Sequence, residues 1–176
     1  MHLLITEKPS AARAFEKALG GRRGTFEGVD YEIVNARGHL YELIPEPVEQ
    51  LEDSATEAER VKVASWDLAN LPWDLSRFTW TYRPIKDTAK ERREIGEAMA
   101  RADVIVCATD VDPSGEGGSI WGNIVRELGY EGKKPLERMR FLDESVPSLQ
   151  KGFREREPIA SLGTFVTLCF NAVGAV

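Results

Sequence analysis

Cysteine is nearly missing: the 176 residues hold only Cys107 and Cys169, far apart and outside any CxxC spacing. That excludes a disulfide framework and a zinc site of readable ligand spacing, and it fits a reducing compartment. Long apolar runs are missing too, and none approaches the length needed to cross a bilayer. The segment Met1 to Lys8 meets acidic Glu7 too early for a secretory signal. These absences predict a cytoplasmic protein with no membrane partner. An excess of basic charge is also lacking, because the formal net charge is −6. A domain that binds through phosphate neutralisation is usually basic, so the balance argues against a free-standing nucleic-acid binder. The objection weakens where carboxylates hold a metal ion, since acidic residues then belong to the site and a local basic rim can still meet an anion.

What is present suits one globular domain: 42% of residues are apolar and 30% are charged, with both signs mixed along the chain. The length supports a real core and is too short for two domains of ordinary size. Leu3 to Thr6 is a short apolar run that stops at Glu7-Lys8-Pro9, as a buried strand does at a sheet edge. Pro9 suits the first turn of a helix, and Ala11, Ala14, Phe15, Ala18 and Leu19 follow helical spacing up to Gly20-Gly21. Tyr31 to Ala36 reads as a second strand, ending in Arg37-Gly38-His39-Leu40, where glycine permits a sharp turn.

Pro45-Glu46-Pro47 marks irregular structure. Glu49 to Lys62 is rich in charge, and Ser65 to Pro84, with Trp66, Trp73 and Trp80, reads as an elaborated loop region packed by its aromatic residues. Asp87 to Arg101 predicts a surface helix with Ile95, Ala98 and Met99 on one side. Val104 to Ala108 is the clearest strand, and Ile120, Ile124 and Leu128 then repeat at helical spacing up to Gly129. A last strand over Arg138 to Leu142 precedes a helix beginning near Ser145. Alternating strands and helices predict an α/β fold, a mostly parallel sheet with helices on both faces and its ligand site at the carboxyl ends of the strands.

Glu7 and the segment from Asp110 to Glu116 fall at that edge. Asp110, Asp112 and Glu116 directly follow a buried strand, and two aspartates at alternate positions let both carboxylates reach one hard cation, for which magnesium is the natural candidate. Such a pair is also common in solvated turns. Glu7 is either a general acid or base beside the aspartates, a third metal ligand, or a helix-entry glutamate favoured by the dipole. Lys8, at a strand-to-helix turn, can add a point charge for a phosphate oxygen or simply face water. His39 and Arg37 are candidate phosphate contacts, although a single histidine is more often structural. The three tryptophans lack basic interleaving, so packing accounts for them better than base stacking; Trp121, on a helix, is read as packing too.

Taken in order, Leu4-Ile5-Thr6-Glu7-Lys8-Pro9-Ser10, Arg37-Gly38-His39-Leu40, Trp66-Asp67-Leu68-Ala69-Asn70-Leu71-Pro72 and Ala108-Thr109-Asp110-Val111-Asp112 resemble the type IA DNA topoisomerases, topoisomerase III most closely. The resemblance spans roughly residues 1–155 and implies a Toprim domain with a Rossmann-like fold, leaving 156–176 as a tail or a truncated junction to the next domain. It implies that Glu7 is the Toprim glutamate, Lys8 holds the scissile phosphate, Asp110 and Asp112 form the Mg²⁺ (or Mn²⁺) pair, and Glu116 closes the acidic motif. In that family a tyrosine on another domain cuts one DNA strand through a 5′-phosphotyrosine link and reseals it after strand passage. The implied partners are therefore single-stranded DNA and the remaining topoisomerase domains.

Two departures accompany the resemblance. Pro113 and Ser114 stand where the family usually carries a basic and an acidic residue, which predicts weaker metal affinity. Tyr31, Tyr41, Tyr82 and Tyr130 all lie within the matched span, so none is a candidate for the nucleophile, and the isolated chain is expected to be inactive. The competing readings are a stand-alone Toprim nuclease or primase-like protein, with metal-activated water in place of tyrosine, and a degenerate Toprim domain kept for binding a partner.

Overall fold

The apolar run at the amino terminus becomes the middle of a sheet. In the computed structural model, which describes residues 1–47, 78–111 and 113–161, Leu3, Leu4 and Ile5 are almost wholly buried in β1 (His2–Thr6). The described residues form two compact units, one of residues 1–41 with those from 84 onward, the other of those within 42–83.

In the first unit β1 leads through α1 (Pro9–Leu19) and the antiparallel pair β2 (Arg23–Phe26) and β3 (Val29–Asn35). After α2 (Ala89–Arg101) come β6 (Val104–Cys107), α3 (Glu116–Glu127), β7 (Leu136–Arg138), α4 (Val146–Arg154) and β8 (Glu157–Pro158). The six-stranded sheet has the order β2-β3-β1-β6-β7-β8. The four inner strands β3, β1, β6 and β7 are parallel and only the two edge strands run antiparallel. β8 lies within the stretch expected to be a tail.

Successive side chains of a strand point to opposite faces, so each parallel strand feeds two cores. On one face Leu4, Ile33 and Val106 pack with Phe15 of α1 and with Leu149 and Phe153 of α4. Edge-on ring contacts join Phe15 to Phe141 at 5.5 Å and Tyr31 to Phe153 at 6.0 Å. α2 packs on β1 and β3, and buries Ile95, Ala98 and Met99, the stripe that its spacing predicts. Burial of each such large side chain stabilises the fold by about 1.5–3 kcal/mol. Trp121 is buried in α3, in agreement with a packing role.

The second unit contains a two-stranded sheet in which β4 (Tyr41–Pro47) pairs with β5 (Phe78–Pro84). This corrects two expectations, since Pro45-Glu46-Pro47 is strand and not irregular, and the end of the expected loop region is strand as well. Both strands of a two-stranded sheet are edges, where a proline without an N–H is tolerated. The charged stretch from Glu49 to Lys62, the Trp66 to Pro72 motif and Trp73 lie outside the described residues. A third correction concerns β7, which ends at Arg138 where a strand over Arg138 to Leu142 was expected. Met139 and Phe141 are buried, so their apolar alternation mimics a strand while the chain is already turning toward α4. Among the described residues no helix is long and apolar enough to cross a membrane.

Candidate functional site at the sheet edge

β1 and β6 are parallel neighbours, with His2 opposite Val104 and Ile5 opposite Cys107. From β1 the chain crosses to β3 on one side, and from β6 it crosses to β7 on the other. Opposed crossovers of this kind leave a crevice at the carboxyl ends of the two strands. Glu7 follows β1 and Asp110 follows β6, so the topology brings together residues about a hundred positions apart in the chain.

The loop after β3 is tied to the same place. Gly38 donates its N–H to the Glu7 carbonyl at 3.0 Å, and it does so with φ at +78°, a conformation that glycine adopts without strain. His39 is thereby carried to the amino end of α3, where its Nε2 lies 3.5 Å from Glu116 Oε1. Lys8 Nζ stands 4.0 Å from Glu7 Oε1. Gly117 lies so close to this group that a Cβ there would sit 2.8 Å from the Thr109 Cβ and 3.3 Å from Glu7 Oε2. Glu7, Lys8, His39 and Glu116 thus gather at one edge. Their side chains are 27%, 48%, 45% and 63% exposed, which leaves all four open to a ligand from solvent.

Beneath them lies a group that the sequence reading did not single out. Arg138, only 7% exposed, donates from Nη2 to the Asp110 carbonyl at 2.9 Å and from Nη1 to Thr109 Oγ1 at 3.2 Å. The same Nη1 is 2.9 Å from Cys107 Sγ. A buried guanidinium with several acceptors fixes the backbone from which the Asp110 side chain projects. Burial pushes the Cys107 thiol up, against the opposing pull of Arg138 and Thr109, so Cys107 stays a neutral packing group. Burial also raises the Tyr31 and Tyr41 phenols, and the Tyr31 hydroxyl donates to the Leu19 carbonyl.

Arg37 is not brought to the cluster. Its Nη1 lies 3.2 Å from Glu91 Oε1 on α2. Glu91 is held below the usual carboxylate range by its own backbone N–H and then by Arg37. Asp110 is exposed at the strand end, while Asp112 lies outside the described residues. Among the described residues no three His, Cys, Asp or Glu side chains surround a common metal position. The donors that do meet here are carboxylate oxygens, the type a hard cation takes, so the donor chemistry fits Mg²⁺ even though the described carboxylates do not close around it.

Comparison with known proteins gives a family and a fold. The Toprim domain family matches residues 2–120. A DNA topoisomerase 1 of Xylella fastidiosa (strain Temecula1) is 27% identical over 162 residues, which cover 91% of this chain and 16% of that protein. A DNA topoisomerase 1 of Alkalihalophilus pseudofirmus is 30% identical over 169 residues, covering 88% of this chain and 21% of that protein. The chain therefore spans less than a quarter of the length of these relatives. Among solved structures, full-length topoisomerase I from Thermotoga maritima superposes with a TM-score of 0.54 at 17% identity, over 90% of this chain and 21% of that one. At that identity the likeness establishes the α/β fold alone.

Proposed function

The chain belongs to the Toprim domain family, and on that premise we propose that it is the metal-binding part of a type IA DNA topoisomerase, an isomerase acting on DNA in the cytoplasm. The reading rests on one observation above the others: Glu7, Lys8, His39 and Glu116 meet at the carboxyl edge of the sheet, beside the strand that ends in Asp110. The similarity to bacterial DNA topoisomerases 1 supports it. The sequence resemblance to topoisomerase III remains part of the proposal.

In this reading Asp110, Asp112 and Glu116 would hold Mg²⁺, for which Mn²⁺ can substitute, and Glu7 is either a further ligand or, when protonated, the general acid. The bound ion supplies charge neutralisation at a phosphate. Lys8 holds the scissile phosphate as a point charge, and His39 contacts the backbone of a single-stranded segment, whereas Arg37, paired with Glu91 away from the cluster, is left out of the contact set. A tyrosine from another domain attacks the phosphorus, a 5′-phosphotyrosyl bond forms and the bond to the 3′ oxygen breaks. Where Glu7 is the general acid and not a ligand, its carboxyl group gives a proton to that oxygen while the tyrosine's proton passes to solvent water, and the reverse transfers reseal the strand. The remaining topoisomerase domains are thus required partners.

Calorimetric titration with Mg²⁺ and Mn²⁺ tests the metal site directly. Saturable heat is expected from the parent chain and none from an Asp110→Ala, Asp112→Ala double variant; equal traces would remove the site. The isolated chain is further expected to leave supercoiled plasmid intact with Mg²⁺. Nicking that disappears in Asp110→Ala would instead make the protein a stand-alone nuclease.

A further inference from the structure

The reading above gives His39 a task, yet the side chain does little to hold itself in place. Its ring is 45% exposed, and its 3.5 Å approach to Glu116, itself 63% exposed, is a surface pair worth little. What fixes the ring is therefore the backbone of the segment Arg37-Gly38-His39-Leu40. On one side that backbone hangs from the end of β1, through the bond from the Gly38 N–H to the Glu7 carbonyl. On the other side it leads after Tyr41 into the second unit, and the chain returns to the first unit only at Pro84. Closing so long an excursion costs entropy, which contacts at its neck must offset.

Those contacts centre on the first turn of α2. The Leu40 carbonyl accepts the Ile85 N–H at 3.0 Å. Ile85 is held in turn by Arg92, whose Nη1 donates to the Ile85 carbonyl at 2.6 Å and to Thr88 Oγ1 at 2.5 Å. The buried Thr88 hydroxyl lies 3.2 Å from the Leu40 carbonyl, and the Arg92 guanidinium lies over the Tyr41 ring at 5.8 Å. One residue before Arg92, Glu91 takes Arg37, at the other end of the segment. The Glu91 side chain is 14% exposed, and its Oε2 meets no hydrogen-bond donor among the described residues. A carboxylate so buried depends on its arginine more than a surface partner would. Adjacent residues of one helical turn thus grip the segment on both sides of His39.

We propose that Arg92 and Glu91 are positioning residues for His39. Arg92 acts through Ile85 and Leu40, Glu91 acts through Arg37, and together they set where the imidazole stands at the sheet edge. The inference deepens the reading above and rests on it, since the position matters because His39 meets a phosphate there. Arg37 then serves the site as an anchor of the segment and not as a ligand contact.

The chain has two histidines, so their ring protons are readily separated by NMR, and His2 at the start of β1 provides an internal reference. Spectra of the full chain at about pH 8.5, above the ordinary histidine value of about 6.5, compare the parent with Arg92→Met, Arg92→Lys and Glu91→Gln. In Arg92→Met the His39 signals are expected to move toward their unfolded positions while those of His2 stay. Arg92→Lys, which can still donate to the Ile85 carbonyl, is expected to restore them. Glu91→Gln keeps the shape of the side chain, so it is expected to move the His39 signals with the melting temperature unchanged, and it decides the matter even where Arg92→Met does not fold. If His39 keeps its parent signals in Glu91→Gln and in folded Arg92→Met, the positioning role is overturned and the DNA reading is untouched. Anisotropy of a labelled single-stranded oligonucleotide in Mg²⁺ reads the consequence. Glu91→Gln and His39→Ala are each expected to weaken binding about three- to tenfold. Removing a negative charge by itself would strengthen binding to a polyanion, so a weakening in Glu91→Gln reports lost position. Signals that move while His39→Ala binds like the parent uphold the positioning and overturn the phosphate contact of His39 instead.

Discussion

At the scale of single residues, Gly117 is the most constrained position at the sheet edge. Any side chain there meets Thr109, itself buried and bonded to Arg138, and then Glu7. Gly117→Ala is expected to destabilise the fold by about 1–3 kcal/mol, read from urea unfolding, and to weaken Mg²⁺ binding in the same calorimetric assay. Full stability in this variant would mean that α3 can shift away from Glu7 without loss. The residues proposed to carry chemistry stand out in the sequence by order and type, because Glu7, Lys8 and Asp110 stand where apolar runs end. Gly117 and Arg138 were not read, although each left a trace. A Gly117-Gly118 pair opening a helix costs helix propensity and so signals a close approach, and an arginine beside apolar Met139 signals a buried charge that needs acceptors.

At the scale of elements, Arg138 links three pieces: β7 on which it sits, the end of β6 through Cys107 and Thr109, and the acidic loop through the Asp110 carbonyl. Arg138→Met is expected to lower stability by about 1.5–3 kcal/mol. It should also speed hydrogen exchange at the Val111 amide, whose bond to Phe141 depends on the same loop. Unchanged exchange would show that the loop holds its shape without the guanidinium. The elements that could be read beforehand, β1, α1, β3, α2, β6, α3 and the start of α4, all bury a regular face. Those that were missed bury little or break the pattern. β2 is an exposed edge strand, β8 has two residues, and β4 carries the prolines that usually deny a strand. Periodicity reports burial, so an element without a buried face leaves no period to read.

At the scale of the whole molecule, the two ends of the described chain meet through His2. Its Nε2 lies 3.3 Å from Arg156 Nη2 and 3.8 Å from Glu137 Oε2, with the terminal amine and Asp103 nearby. Burial, followed by Arg156, holds the imidazole below its ordinary value, while Glu137 and Asp103 oppose the shift. The unfolded chain therefore binds the proton first. Stability is fully present above the unfolded value of about 6.5 and is lost as pH falls through it. His2→Gln is expected to flatten the dependence of melting temperature on pH between about 7.5 and 5.5; an unaltered slope would assign that dependence to other groups. The pairing of β1 with β6, His2 opposite Val104, has a consequence for biosynthesis. A ribosome adding about 5–20 residues per second needs roughly 5–20 s to travel from one strand to the other. Throughout that interval β1 has an open edge, a template for pairing with neighbouring chains. The crevice that gathers the carboxylates comes into being only once β6 docks, so the protein is most vulnerable to aggregation before it has anything with which to hold a ligand.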